Sequence, residues 1–268
     1  AGLPCVAARA SGSKELIAEG QTGCLYEPDD IASLAKAVQA VLGPARSSMG
    51  QNARHVAERH FSIPAVADRY ESLYARLLER SAPGEVPLLM LTELYLPTKG
   101  GTAVMFEDDC RRLGGRSIHV VTAAVPGAED FDIGHPNRIH RLKLRRYEWL
   151  RPESLAMYLR MFGRSLSLSL QHRFAAVLAG RALPEGLTAW FIGRLRGCKV
   201  VIFAHGEELT GWGRGRKFQA MCFALRHADH VIANSDFTRD TLLTLIGVAA
   251  DKIVMAYPVV DADRFRPG

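Results

Sequence analysis

From Leu88 onward, short apolar runs recur between stretches of helical length, and this alternation restricts the fold more than any other feature of the chain. The runs are Leu88–Thr92, Ile118–Thr122, Ala175–Ala179, Val200–Ala204, His230–Asn234 and Ile253–Ala256. They are mostly apolar throughout, as expected of strands buried on both faces. Between the first two, Ala103, Phe106, Cys110 and Leu113 fall at helical spacing and face inward, stopped by Gly114-Gly115. Pro184–Arg196, Arg214–Arg226 and Phe237–Ile246 read as further helices, the last ending at Gly247. Strand and helix in turn predict a parallel sheet with helices on both faces, a doubly wound α/β domain.

Residues 1–80 follow the same pattern but stop short of a domain. Pro4–Ala8 and Cys24–Tyr26 read as strands. Asp29 or Asp30 caps a helix with Ile31, Leu34, Ala35, Val38 and Leu42 on one face, ended by Gly43-Pro44. A second helix is expected over Ser48–Arg59, and a third from Ser62, with Pro64 in its first turn. Two strands are too few for an independent parallel sheet, so this part reads as an incomplete Rossmann-like domain. The polar break from Ser81 to Glu85 opens a linker over residues 81–87, and the complete domain is expected over residues 88–268.

Composition narrows the class. With 48% hydrophobic and 23% charged residues the chain is globular rather than disordered, and no apolar run approaches the ~20 residues of a membrane-spanning helix. Cys5, Cys24, Cys110, Cys198 and Cys222 are scattered without C-x-x-C spacing. That pattern suits reduced thiols in a cytoplasmic protein better than a disulfide framework or a zinc site. The net charge of +6 favours anionic partners without choosing among them.

Several stretches resemble the retaining glycosyltransferases of family 4, which have the two-domain GT-B architecture. Leu88–Thr92 with Lys99-Gly100-Gly101-Thr102-Ala103 is similar to their first strand and glycine loop. Leu113–Thr122 resembles their passage into the second strand, and Ala204-His205-Gly206-Glu207-Glu208 the loop that faces their interdomain cleft. The most specific run is Ala228–Arg239, continued by Asp251-Lys252-Ile253 and Val260–Pro267. Near the start, Gly2–Ala7, Glu15-Leu16-Ile17, Gly20–Tyr26 and Met49–Arg54 resemble the end of the family's C-terminal domain. The halves therefore stand in reversed order. The opening strands of the donor-side domain, with their basic residue for the diphosphate, have no counterpart, and neither does the paired-glutamate motif. The resemblance implies a partial donor-side domain over residues 1–80 and an acceptor-side domain over 88–268, from a longer reading frame holding such enzymes in tandem.

It further implies hexosyl transfer from a UDP- or GDP-sugar to a glycan or lipid-linked acceptor, with retained configuration, no metal and no cofactor beyond the sugar nucleotide. Transfer by this segment alone is expected to be poor, because half a cleft cannot hold donor and acceptor in reacting geometry. Gly100 and Gly101 form an ordinary turn or a loop whose backbone N–H groups approach phosphate or sugar oxygens, and the family register favours the loop. His205, at a strand's C-terminal edge, is the candidate catalytic residue, placed to hydrogen-bond the transferring sugar or acceptor; its alternative is a structural hydrogen bond. Glu207 or Glu208 orients an acceptor hydroxyl or caps the next helix, and Ser235 lines the cleft or caps its own helix. The alternating basic and apolar stretch Arg138–Trp149 is a solvated strand face or a contact with an anionic membrane. That contact would place the protein at the inner membrane surface; no nucleic-acid motif accompanies the charges. A circularly permuted enzyme and a non-catalytic glycan-, membrane- or partner-binding module are the alternatives.

Overall fold

Residues 2–10, 12–62, 65, 87–147, 153–211 and 213–258 are described by the computed structural model, with only the backbone described for Leu113, Gly114 and Glu207. The chain forms two compact units. One comprises residues 1–72, 235–237 and 255–268; the other comprises residues 73–234 and 238–254.

In the first unit, β1 (Cys5–Ala8) and β2 (Gly23–Tyr26) pair in parallel, Cys5 opposite Gly23 and Ala8 opposite Tyr26. The short helix α1 (Ser13–Leu16) lies between them in sequence, and α2 (Ile31–Leu42) and α3 (Arg46–His60) follow. Of the two candidate caps for α2, Asp30 is the one used: its carboxylate accepts from the Ser33 N–H at 3.0 Å. The buried stripe of α2 differs from the expected one. Ala37 and Val41 pack with Cys24 and Met49, while Ile31, Leu34, Val38 and Leu42 are exposed. Two strands offer a narrow surface, which small side chains approach more closely than a broad aliphatic stripe. The helix expected from Ser62 and the break before residue 87 lie outside the described residues, apart from Ser62 and Ala65.

Among the described residues, the second unit is built on a seven-stranded sheet. Its strands are β3 (Leu88–Leu91), β4 (Ile118–Ala123), β5 (Arg138–Leu142), β6 (Ala176–Ala179), β7 (Lys199–Ala204), β8 (His230–Ala233) and β9 (Ile253–Met255). They lie in the order β5-β4-β3-β6-β7-β8-β9, and the registers from β5 to β8 are all parallel. The strand order reverses between β3 and β6, so the crevice of this doubly wound sheet opens beyond the C-terminal ends of those two strands. All four residues of β3 and of β6 are buried, as continuous apolar strands at the centre of a covered sheet must be.

The helices are α4 (Gly101–Gly114), α5 (Ala128–Asp132), α6 (Leu155–Gln171), α7 (Leu187–Arg196), α8 (Gly206–Thr210), α9 (Arg216–His227) and α10 (Asp236–Thr241). Side-chain contacts assign helices to opposite faces of the sheet. Phe106 of α4 meets Phe203 of β7 edge to face at 5.1 Å. The neighbouring Ile202, which points the other way, lies against Gly186 ahead of α7, and Gly186 in turn lies near Ala224 of α9. As expected, Ala103, Phe106 and Cys110 of α4 are buried. The basic stretch from Arg138 begins as β5, a strand at the sheet edge with mixed exposure; Trp149 lies outside the described residues. The long helix α6 had no sequence expectation.

Candidate active site

The crevice is lined by the segments that leave β3, β6 and β7. Gly180 directly follows β6, and a methyl group there would sit 2.9 Å from both Thr92 Oγ1 and Phe106 Cε2. Only a residue without Cβ lets the three elements close at this point. Gly180→Ala should therefore cost about 1–3 kcal/mol by overpacking, seen as a lower Tm. An unchanged Tm would show that Phe106 can move aside.

His205 follows β7, and its Nε2 donates to the Gly180 carbonyl at 2.9 Å. A carbonyl only accepts, so the ring presents Nε2–H toward β6. The ring also stands edge-on to Phe106, 6.1 Å between centroids. Strand β6, strand β7 and helix α4 thus hold the imidazole in one orientation. Gly100 and Gly101 start that same helix. Gly100 has φ +143°, a backbone state that side-chain-bearing residues rarely adopt, and its surroundings are open.

Glu208 is half-buried beneath this loop. It accepts from the His205 N–H at 3.3 Å and from the Ala182 N–H at 3.4 Å, joining the segments after β6 and β7. The bond to His205 is the backward arm of a capping box at the start of α8. Burial raises its pKa to about 7 against the pull of those hydrogen bonds. Glu207 stands in α8. Ser235 follows Asn234 immediately beyond β8 and is grouped with the first unit.

A fully buried carboxyl nearby had no sequence expectation. Glu185, fully buried between β6 and α7, accepts from the Glu93 N–H just past β3 at 2.9 Å, and burial raises its pKa to about 7. A glutamate in the otherwise apolar and small stretch Ala182–Gly186, right after a central strand, was the available signal. Cations collect at the same edge. Arg146 pairs with Glu93 at 3.2 Å. The Lys217 ammonium is pushed down in pKa by burial, then by Arg146 and Arg181, against the pull of Glu208. Among the described residues no three His, Cys, Asp or Glu side chains converge as metal ligands would.

The run Ala228–Arg239 has internal duties as well. Asp229 accepts from the Val200 N–H at 2.9 Å and from Lys199 Nζ at 3.1 Å, pinning β8 to β7, and Thr238 donates to the Asn234 side chain at 2.9 Å.

The sequence profile of Glycosyltransferase Family 4 matches residues 99–264, more than half of the chain. The chain belongs to that family. A second profile, Glycosyl transferases group 1, matches residues 1–43. Among curated relatives, a D-inositol 3-phosphate glycosyltransferase of Corynebacterium efficiens is 38% identical over 88 residues, covering 32% of this family 4 chain and 20% of that protein. Among solved structures, HepE of Anabaena in complex with UDP-glucose aligns with TM-score 0.49 and 15% identity, over 65% of this chain and 44% of its own. A UDP-glucosyltransferase from Polygonum tinctorium aligns with TM-score 0.44 and 13% identity, over 68% and 54%. The chain spans about half, or less, of the length of each of these relatives.

Proposed function

We propose that this family 4 chain supplies the acceptor-side half of a glycosyltransferase, preceded by the closing elements of a donor-side domain. The reaction is hexosyl transfer from a UDP- or GDP-sugar to a glycan or lipid-linked acceptor at an anionic membrane surface in the cytoplasm, with no metal or further cofactor. The observation that carries this reading is the fixed imidazole of His205 at the switch-point crevice, beside the helix that Gly100 and Gly101 begin. Doubly wound sheets bind ligands at this place. In this reading, the imidazole hydrogen-bonds a sugar or acceptor hydroxyl, while the bond to Gly180 holds the ring against rotation.

Two further observations support the reading. A group 1 profile ahead of a family 4 profile matches the order expected of a donor-side tail followed by an acceptor-side domain. Arg146, Arg181 and Lys217 gather at the crevice edge and suit an acceptor carrying phosphate, as the name of the Corynebacterium relative indicates for its own substrate.

Incubated alone with UDP- and GDP-sugars and a panel of acceptors, the chain should turn over slowly or not at all; robust turnover would refute the incompleteness. Joined to a complete donor-side domain, it should become active. His205→Ala in that protein should then lower kcat/KM at least about 100-fold. The loss of one hydrogen bond should cost only about 1 kcal/mol of stability. Unfolding with unchanged activity per folded molecule would assign the ring to structure instead.

A further inference from the structure

The layer formed by α6, α7 and α9 exposes an apolar surface that no duty of the crevice explains. Phe162 of α6 meets Phe191 of α7 at 6.2 Å between ring centroids. Trp190 meets Phe223 of α9 at 4.9 Å, and Phe223 stacks on His227 at 4.2 Å. The rings therefore form one continuous band across three helices. Large aliphatic and aromatic side chains on this band stand in solvent: Leu159 is 63% exposed, Phe191 50% and Leu195 61%. Leu159 and Phe162 are three residues apart and Phe191 and Leu195 four, so each pair shares a helix stripe. Contiguous exposed apolar surface of this kind marks an interaction site rather than ordinary protein surface.

Charge identifies the partner. The three helices contain no Asp or Glu, and Arg194, Arg196 and Arg216 stand exposed on them, while Arg160, Arg164 and Arg226 are engaged with the Lys143 carbonyl, His140 and the Ile246 carbonyl. On the opposite face, α4 carries Glu107, Asp108 and Asp109. A second copy of the chain meeting this face through the same face would set cations against cations, since a twofold interface is self-complementary. An anionic bilayer satisfies both features: lipid headgroups pair with the guanidinium groups, and the acyl boundary takes the leucine and phenylalanine side chains.

We propose that the α6–α7–α9 face is the surface by which this chain lies on an anionic membrane, in place of the stretch beginning at β5. The proposal rests on the membrane part of the reading above and not on the sugar chemistry. The β5 stretch is poorly suited to the task because its Arg141 is committed internally. Its guanidinium holds Asp132 through two bonds, at 2.8 and 3.1 Å, and donates to the Leu96 and Ala123 carbonyls.

The test is sedimentation of the chain with vesicles of phosphatidylcholine alone, or with about one phosphatidylglycerol in three lipids, at low and high salt. Wild type should bind the anionic vesicles at least about tenfold more tightly, and less so at high salt. The triple substitution Leu159→Ser, Phe191→Ser, Leu195→Ser, made at exposed positions, should weaken that binding about tenfold. Arg194→Glu with Arg196→Glu should remove the preference for anionic lipid, whereas Arg138→Glu with Arg145→Glu should change little. The reverse pattern would overturn this face while leaving membrane binding intact. Failure of wild type to bind any vesicle would overturn both, and would leave the sugar-transfer test standing. Self-association abolished by the triple substitution would show that a protein partner covers the band, which also overturns the proposal.

Discussion

Glu185→Gln is expected to stabilise the protein far more above neutral pH than near pH 5. Burial lifts the carboxyl from 4.5 to about 7. A folded-state pKa raised above the unfolded value means that its contribution to stability is intact below about pH 4.5 and is lost as the pH rises through about 7. The full difference is on the order of 3 kcal/mol. Glutamine keeps an oxygen that can accept from the Glu93 N–H and never ionises, so it avoids that loss. Glu185→Ala should instead destabilise at every pH, by about 2–4 kcal/mol, because it leaves a cavity and orphans the Glu93 N–H. Denaturant unfolding near pH 5 and pH 8.5 separates the cases. A gain for the glutamine variant that is equal at both values would disprove the ionisation argument.

On the acid side, folding stability should fall between about pH 6.5 and pH 4 through His119 and His140. Arg164 donates to His140 Nδ1 at 2.9 Å, and as an obligate donor it forces the proton onto His140 Nε2, which faces His119 Nδ1 at 3.1 Å. Protonating either ring would set two donors against each other. Both pKa values fall to about 4. For His119 the causes are burial, then His140, His172, Arg138 and Arg164; for His140 they are burial, then Arg164, His172 and Arg138. A depressed folded pKa gives stability that is present above about 6.5 and lost as the pH drops toward 4. The two rings face each other and titrate as a coupled pair, so their shifts do not simply add. Arg164→Leu removes the donor that fixes the tautomer, so the acid loss should shrink and His140 should titrate higher by NMR. An unchanged acid limb in that variant would refute the relay.

The strands were legible because each central strand is buried on both sides and consists of consecutive apolar residues, a pattern a solvated element would not carry. Leu88–Leu91 and Lys199–Ala204 lie within a residue of their expected ends. The buried stripe of α2 was not legible, since the strongest apolar periodicity on Ile31, Leu34, Val38 and Leu42 is not the side that meets the two strands. Helix α6 was obscured by its run of Ser and Leu, although its Met157, Met161 and Leu168 are buried. In the crevice, the position of His205 followed from its place after an apolar strand. The long-range partners did not: Gly180 lies 25 residues away and Glu185 meets a backbone group 92 residues away. Spacing along a chain carries no information about contacts set by strand order.

Placing β5 at the end of the sheet has a consequence for how copies of this protein behave toward one another when crowded. A terminal strand offers its outward backbone groups as a template for another chain. Arg138, His140 and Arg141 interrupt β5, and β9 at the other end is only three residues long. Stacking two such strands in register would bring like charges opposite each other on one flank and would give few ladder bonds on the other. Growth of the sheet from copy to copy is therefore opposed at each flank by a different means, one electrostatic and one a matter of length.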